Sequence, residues 1–128
     1  MLPINTLSER VIGCAIEVHR HIGPGLLESA YQRCLAREFE EQGIPFRAQL
    51  ELPVLYKGAP IDCAYRLDFL IDGRLVLEIK SVAKVEPIHE AQLLTYLRLG
   101  GWELGLLLNF NVARLVDGVR RKVLGLRD

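Results

Sequence analysis

The chain has 128 residues and a mass of 14.5 kDa; half of it is hydrophobic and a quarter charged, with acids and bases equal at 16 each. Those values predict one soluble globular domain over residues 1–128, long enough for one core and too short for two. They give no support to nucleic-acid binding through net charge, and no apolar run approaches the ~18 residues of a membrane span.

Nothing at the N-terminus has the pattern of a signal peptide. Cys14, Cys34 and Cys63 are odd in number and lack metal-type spacing, so reduced, mostly buried thiols in a cytoplasmic protein are expected. Thr6-Leu7-Ser8-Glu9 has the form of a capping box and predicts a helix with Val11, Cys14, Ala15 and Val18 on its apolar face, ending near Gly23. After Pro24-Gly25 a second helix is expected from about Leu26 to Gln42, with Leu27, Ala30, Tyr31, Cys34 and Leu35 inward and Gly43 as its stop.

Strand-favouring segments follow at about Phe46 to Leu52 and Val54 to Tyr56, with a turn at Lys57-Gly58. Residues 66 to 80 then read as two strands joined at Asp72-Gly73. Pro87 opens a third helix that ends near Gly100-Gly101, and Trp102 to Asn109 is a further buried strand. One more strand or short helix is expected around Arg114 to Leu126, where Arg120, Arg121 and Lys122 form the one dense basic cluster. This order predicts an α/β domain whose sheet carries carboxylates near its centre and helices at its flanks.

Asp68, Glu78 and Lys80 interrupt runs that are otherwise almost wholly apolar, where an unpaired carboxylate costs several kcal/mol, roughly, unless it meets a cation. Strand side chains alternate between faces, so a strict two-residue turn at Asp72-Gly73 would set Asp68 opposite Leu77 and send the two acids to opposite faces. A three-residue loop, Ile71-Asp72-Gly73 with Gly73 left-handed, sets Asp68 opposite Val76 and returns both acids to one face. The expectation is that bulge or another one-residue slip. Asp68 and Glu78 are then hard oxygen ligands for Mg²⁺ or Mn²⁺, with the backbone carbonyl of Ile79, and Lys80 can orient or deprotonate a water and offset charge on a phosphoryl transition state. A simple Glu78–Lys80 salt bridge at a strand end is the structural alternative.

Glu28 lies in the first turn of the second helix, where a carboxylate is electrostatically favoured in any case. His89, Gln92 and Tyr96 form a polar stripe on the third helix, suited to solvent or to a substrate or water.

Gly25-Leu26-Leu27-Glu28-Ser29-Ala30-Tyr31 fits a Gly-x-x-Glu-x-x-Tyr pattern, and the ordered parts after it resemble the GxxExxY protein family over nearly the full chain. That family is similar to the PD-(D/E)XK nucleases, in particular their RecB/Cas4-like branch. The resemblance implies a restriction-endonuclease-like αβββαβ core with a mixed central sheet. It also implies Asp68, Glu78 and Lys80 as the active-site acids and lysine, Glu28 as a helical acid joining the metal site directly or through water, and Gln92 with Tyr96 as a supporting Gln-x-x-x-Tyr helix. Asn109-Phe110 matches the Asn-Phe that closes the family's late strand. Leu67 stands before Asp68 where the motif name has Pro. His19 and His21, ahead of the glycine turn, are further candidates to approach a metal.

The leading expectation is a Mg²⁺- or Mn²⁺-dependent nuclease acting on DNA or RNA. The alternative is a catalytically inactive nucleic-acid-binding or regulatory module on the same fold, motivated by the neutral charge balance. A homodimer is a third expectation, because a second copy would widen the surface that holds a duplex.

Overall fold

The computed structural model describes residues 1–125, with the side chains of Cys63 and Ala64 left aside. The expectations for the Cys63 thiol and for an element reaching Leu126 lie outside the described residues. Cys14 and Cys34 are free thiols, and burial, with Glu38 nearby, pushes the Cys14 thiol up to about 11.

Helix α1 (Ile4–Ile22) buries the expected Val11, Cys14, Ala15 and Val18, and stops at Gly23. It starts earlier than the capping box predicts: Pro3 stands at the N-cap without a side-chain cap, and Leu7 N–H donates to the Pro3 carbonyl at 3.0 Å. Leu7 and Ser8 are buried there, so packing of the first turn overrides the cap signal. Helix α2 (Glu28–Gln42) buries Tyr31, Leu35 and Phe39. Leu27 stays exposed, because it stands before the helix at the N-cap in an extended conformation. Left-handed Gly43 ends α2, and Ile44 N–H closes back on the Phe39 carbonyl at 2.9 Å.

Strand β1 (Phe46–Tyr56) is one element where two were expected; its register slips at Pro53/Val54, where proline lacks a donor for the ladder. It pairs antiparallel with β2 (Ala59–Ile71), which pairs antiparallel with β3 (Leu75–Lys80). Helix α3 (Pro87–Gly100) crosses over to β4 (Leu104–Asn109), parallel to β3. A 3₁₀ turn (Leu115–Gly118) leads to β5 (Val119–Val123), antiparallel to β4. The five strands lie in the order β1-β2-β3-β4-β5 as a mixed sheet, in the expected α/β arrangement.

Two apolar clusters sandwich the sheet. Phe69, Ile71, Leu75, Leu77, Ile79 and the even positions of β4 pack under α1 and α2. Leu67, Leu70, Val76 and Leu107 pack under Leu93, Tyr96 and Leu97 of α3. In the β1–β2 hairpin this alternation inverts: Phe46 packs with the first cluster and Leu50 with the second, although four residues apart they belong on one face. The inversion falls at Gln49, which is left-handed (φ 54°) and stands across from Asp68 at a gap in the ladder. A non-glycine residue with positive φ inside a strand is strained, and here it releases Asp68 from regular pairing with β1.

Candidate active site

The β2–β3 loop decides whether the two acids meet. Asp72 and Gly73 are both left-handed (φ 52° and 69°), and Arg74 N–H donates to the Ile71 carbonyl at 3.0 Å. Such a primed turn suits the right-handed twist of a hairpin. Pairing resumes at Ile71 and Leu75, so the loop is Asp72-Gly73-Arg74 and not the expected Ile71-Asp72-Gly73. The slip of one residue is present but runs the other way: extending the register Phe69–Leu77 by one step sets Asp68 opposite Glu78, not Val76.

At that step the backbone ladder gives way to side chains. Ile79 N–H donates to Asp68 Oδ2 at 2.7 Å, and Asp68 N–H donates to Glu78 Oε1 at 3.3 Å. Each carboxyl group thus takes up a donor of the opposite strand and keeps a second oxygen. Glu78 is only 8 % exposed. Burial first, then the Asp68 charge and a hydrogen bond shared with its carboxyl group, push Glu78 up to about 9, against smaller opposing effects of the Asp68 N–H and Lys80.

The pair lies on the face covered by α3. Val76, two residues before Glu78, belongs to that core, and alternation puts Lys80 on the same side. Tyr96 is buried close by: desolvation and the charges of Glu78, Tyr65 and Asp68 push its hydroxyl up to about 12, while a side-chain hydrogen bond with Gln92 opposes this. Among the described residues Lys80 makes no ion pair within 4.0 Å, so the strand-end salt bridge with Glu78 does not form. Asp68, Glu78, Gln92 and Tyr96 are therefore together, with Lys80 beside them.

Glu28 arrives from the other side of the sheet. Its Oε2 accepts from Ser81 N–H at 3.2 Å, and Ser81 Oγ donates to the Leu26 carbonyl at 2.6 Å. The Tyr31 hydroxyl donates to the Gly23 carbonyl at 2.6 Å and accepts from Leu26 N–H at 3.2 Å, while its ring stacks on Phe110 at 4.3 Å. Gly25 supplies a left-handed bend (φ 91°) between them. The glycine, acid and tyrosine of the motif thus hold one loop against the residue that follows Lys80. Asn109, 3 % exposed, secures the next residue: Val82 N–H donates to its Oδ1 at 3.1 Å and its Nδ2 donates to the Val82 carbonyl at 3.0 Å. Tyr31→Phe strands a carbonyl and an N–H, and is expected to cost about 1–3 kcal/mol. A lower urea midpoint with unchanged slope would report it; an unchanged midpoint would contradict the role assigned to the hydroxyl.

Among the described residues no group of three or more His, Cys, Asp or Glu side chains is placed to hold a metal, and the Glu28 carboxylate is engaged with Ser81 N–H. His19 Nε2 is engaged with the Val112 carbonyl at 2.9 Å and His21 Nε2 with Glu17 at 2.7 Å, which ties both histidines elsewhere. In the basic cluster, Lys122 pairs with Glu90 at 2.6 Å and Arg121 donates to Asn5 at 2.9 Å. His89 accepts the Glu86 N–H at the start of α3. Sequence reasoning did not single out Tyr65, Ser81 or Gln49. Their parts depend on contacts with residues distant in sequence.

A hairpin bearing opposed acids, followed by a lysine, a crossover helix and a parallel strand, defines an α/β fold of the restriction-endonuclease-like class. The family model of the PD-(D/E)XK nuclease superfamily matches residues 5–122. The chain belongs to that superfamily. No curated protein and no solved structure matches it. Among the described residues no helix is long and apolar enough to cross a membrane.

Proposed function

We propose that this protein, as a GxxExxY-type member of the RecB/Cas4-like branch, is a Mg²⁺- or Mn²⁺-dependent nuclease that hydrolyses phosphodiesters of DNA or RNA. The observation that carries the reading is the direct opposition of Asp68 and Glu78 across a broken ladder, with Lys80 on the same face. The donor set fits a hard divalent cation: two adjacent carboxyl groups, one of which holds its proton because burial and its partner's charge outweigh the smaller opposing effect of Lys80.

Asp68, Glu78 and the Ile79 carbonyl would hold the ion, and Glu28 would reach it through water. When bound it would supply Lewis-acid polarisation of a phosphate oxygen and a more acidic water. Lys80 orients that water, helps remove its proton, and balances charge gathering on the phosphoryl oxygens. Gln92 and Tyr96 hold the acids from the helix side. Tyr96 keeps its proton at neutral pH, so it serves as a donor and not as a base.

Because Glu78 rests protonated below about 9, ion uptake must release its proton. Calorimetry at pH 7.5 in buffers of different ionisation enthalpy is expected to show release of about one proton per ion, with apparent affinity rising up to about tenfold per pH unit towards pH 9. No uptake by a folded protein would overturn the nuclease reading and leave a non-catalytic module, for which the pairing of Lys122 and the neutral net charge speak.

A further inference from the structure

A cleft of about 250 Å³ opens on the α3 face, lined chiefly by Tyr65, Ile88, His89, Gln92, Thr95 and Tyr96. Tyr96 lines this cleft with Gln92 hydrogen-bonded to it, and Tyr96 also feels the charges of Glu78 and Asp68, so the cleft opens near the acid pair. No lysine or arginine is among its lining residues, so it offers a phosphate no fixed positive charge. Its volume lies below the roughly 300–1,000 Å³ of pockets that take whole drug-sized ligands. A flat, uncharged ring system attached to an anion beside it is the chemistry that matches.

We propose that this cleft takes one unstacked nucleobase next to the scissile phosphate, with Tyr65 as its stacking platform, and thereby selects single-stranded over duplex substrate. The inference rests on the nuclease reading above. The Tyr65 ring sits 5.5 Å from that of Tyr96 at 52°, so its neighbour sets its orientation while 38 % of the residue stays exposed. Ile88, 69 % exposed at the rim, extends the apolar surface that a base can cover. His89 Nδ1 is taken by the Glu86 N–H, which leaves Nε2 for the edge of a ring. In a duplex every base is paired and stacked, and turning one out costs a few kcal/mol, roughly; a single strand offers its bases nearly free of that cost.

The test is equilibrium binding of the full chain, in EDTA so that no strand is cut, to a single-stranded oligonucleotide carrying 2-aminopurine and to its matched duplex. Stacking quenches the probe. Expected are quenching with the single strand, at least about tenfold weaker binding of the duplex, and a similar loss in Tyr65→Ala that Tyr65→Trp restores. Ile88→Ala, at an exposed position that leaves folding intact, is expected to weaken binding several-fold. Absence of quenching, equal affinity for both substrates, or unchanged binding in Tyr65→Ala and Ile88→Ala would each overturn the proposal. Metal uptake, measured separately on the same protein in EDTA-free buffer without oligonucleotide, separates the two readings: uptake without quenching sinks the cleft alone, and quenching without uptake keeps the cleft and sinks the nuclease.

Discussion

Asp68→Asn is expected to fold normally and to lose Mg²⁺- or Mn²⁺-dependent cleavage by at least about a thousandfold. The amide oxygen can still accept the Ile79 N–H that Asp68 Oδ2 accepts at 2.7 Å, so the strand opening persists while the charge that attracts a cation is gone. Glu78→Ala should reach the same loss of rate by a different route, removing an oxygen donor and stranding the Asp68 N–H. Lys80→Ala is expected to fall short of those losses, at roughly a hundredfold, since water orientation and charge balance are only part of the stabilisation. Initial rates on a labelled oligonucleotide, with circular dichroism as the folding control, read all three. Undiminished metal-dependent cleavage in Asp68→Asn would remove the acid pair from the chemistry.

Glu78→Gln is expected to make the metal-free protein more stable at pH 8 while abolishing its activity. The sign follows from proton counting. Between the ordinary carboxyl value of 4.5 and about 9 the folded state holds a proton on Glu78 that the unfolded chain has released, so wild-type stability falls as pH rises through that window. The slope is about 1.4 kcal/mol per pH unit when one full proton is at stake, and over the window the loss amounts to several kcal/mol in order of magnitude. Glutamine carries no such proton but can still donate to Asp68, so its advantage over wild type grows from pH 5 to pH 9. Saturating Mg²⁺ should reverse the ranking, stabilising wild type and leaving the variant unmoved. Urea midpoints across pH, with and without Mg²⁺, decide it; a flat difference between the two proteins would show that Glu78 is not a strained acid. This is the stability–activity trade-off expected of a site that keeps a buried acid beside a second carboxylate before its ligand arrives.

Much of the fold was legible in local pattern. Helix stops at Gly23 and Gly43, the proline start of α3 and the apolar runs of β3 and β4 are written in residues whose conformational limits act where they stand. The errors have a common origin. Thr6 to Glu9 carries a capping signal that burial of Leu7 and Ser8 outweighs, and Leu27 looks apolar enough for a core but stands before the first turn of its helix.

The acids themselves were visible because charge inside an apolar strand is costly wherever the strand ends up. That they share a face was expected from a one-residue slip at the turn, but which slip was not visible, since register depends on whether Arg74 joins the loop or the strand, and a change of one residue there reverses every side chain beyond it. The residue types of this chain, by themselves, settled that it would build helices around a sheet with acids in its middle. Contacts between residues distant in sequence decided the rest: that Asp68 faces Glu78, that Glu28 grips Ser81, and that Tyr65 comes to lie beside Tyr96. Local preference acts over a few residues, whereas a site is assembled by packing across the whole fold.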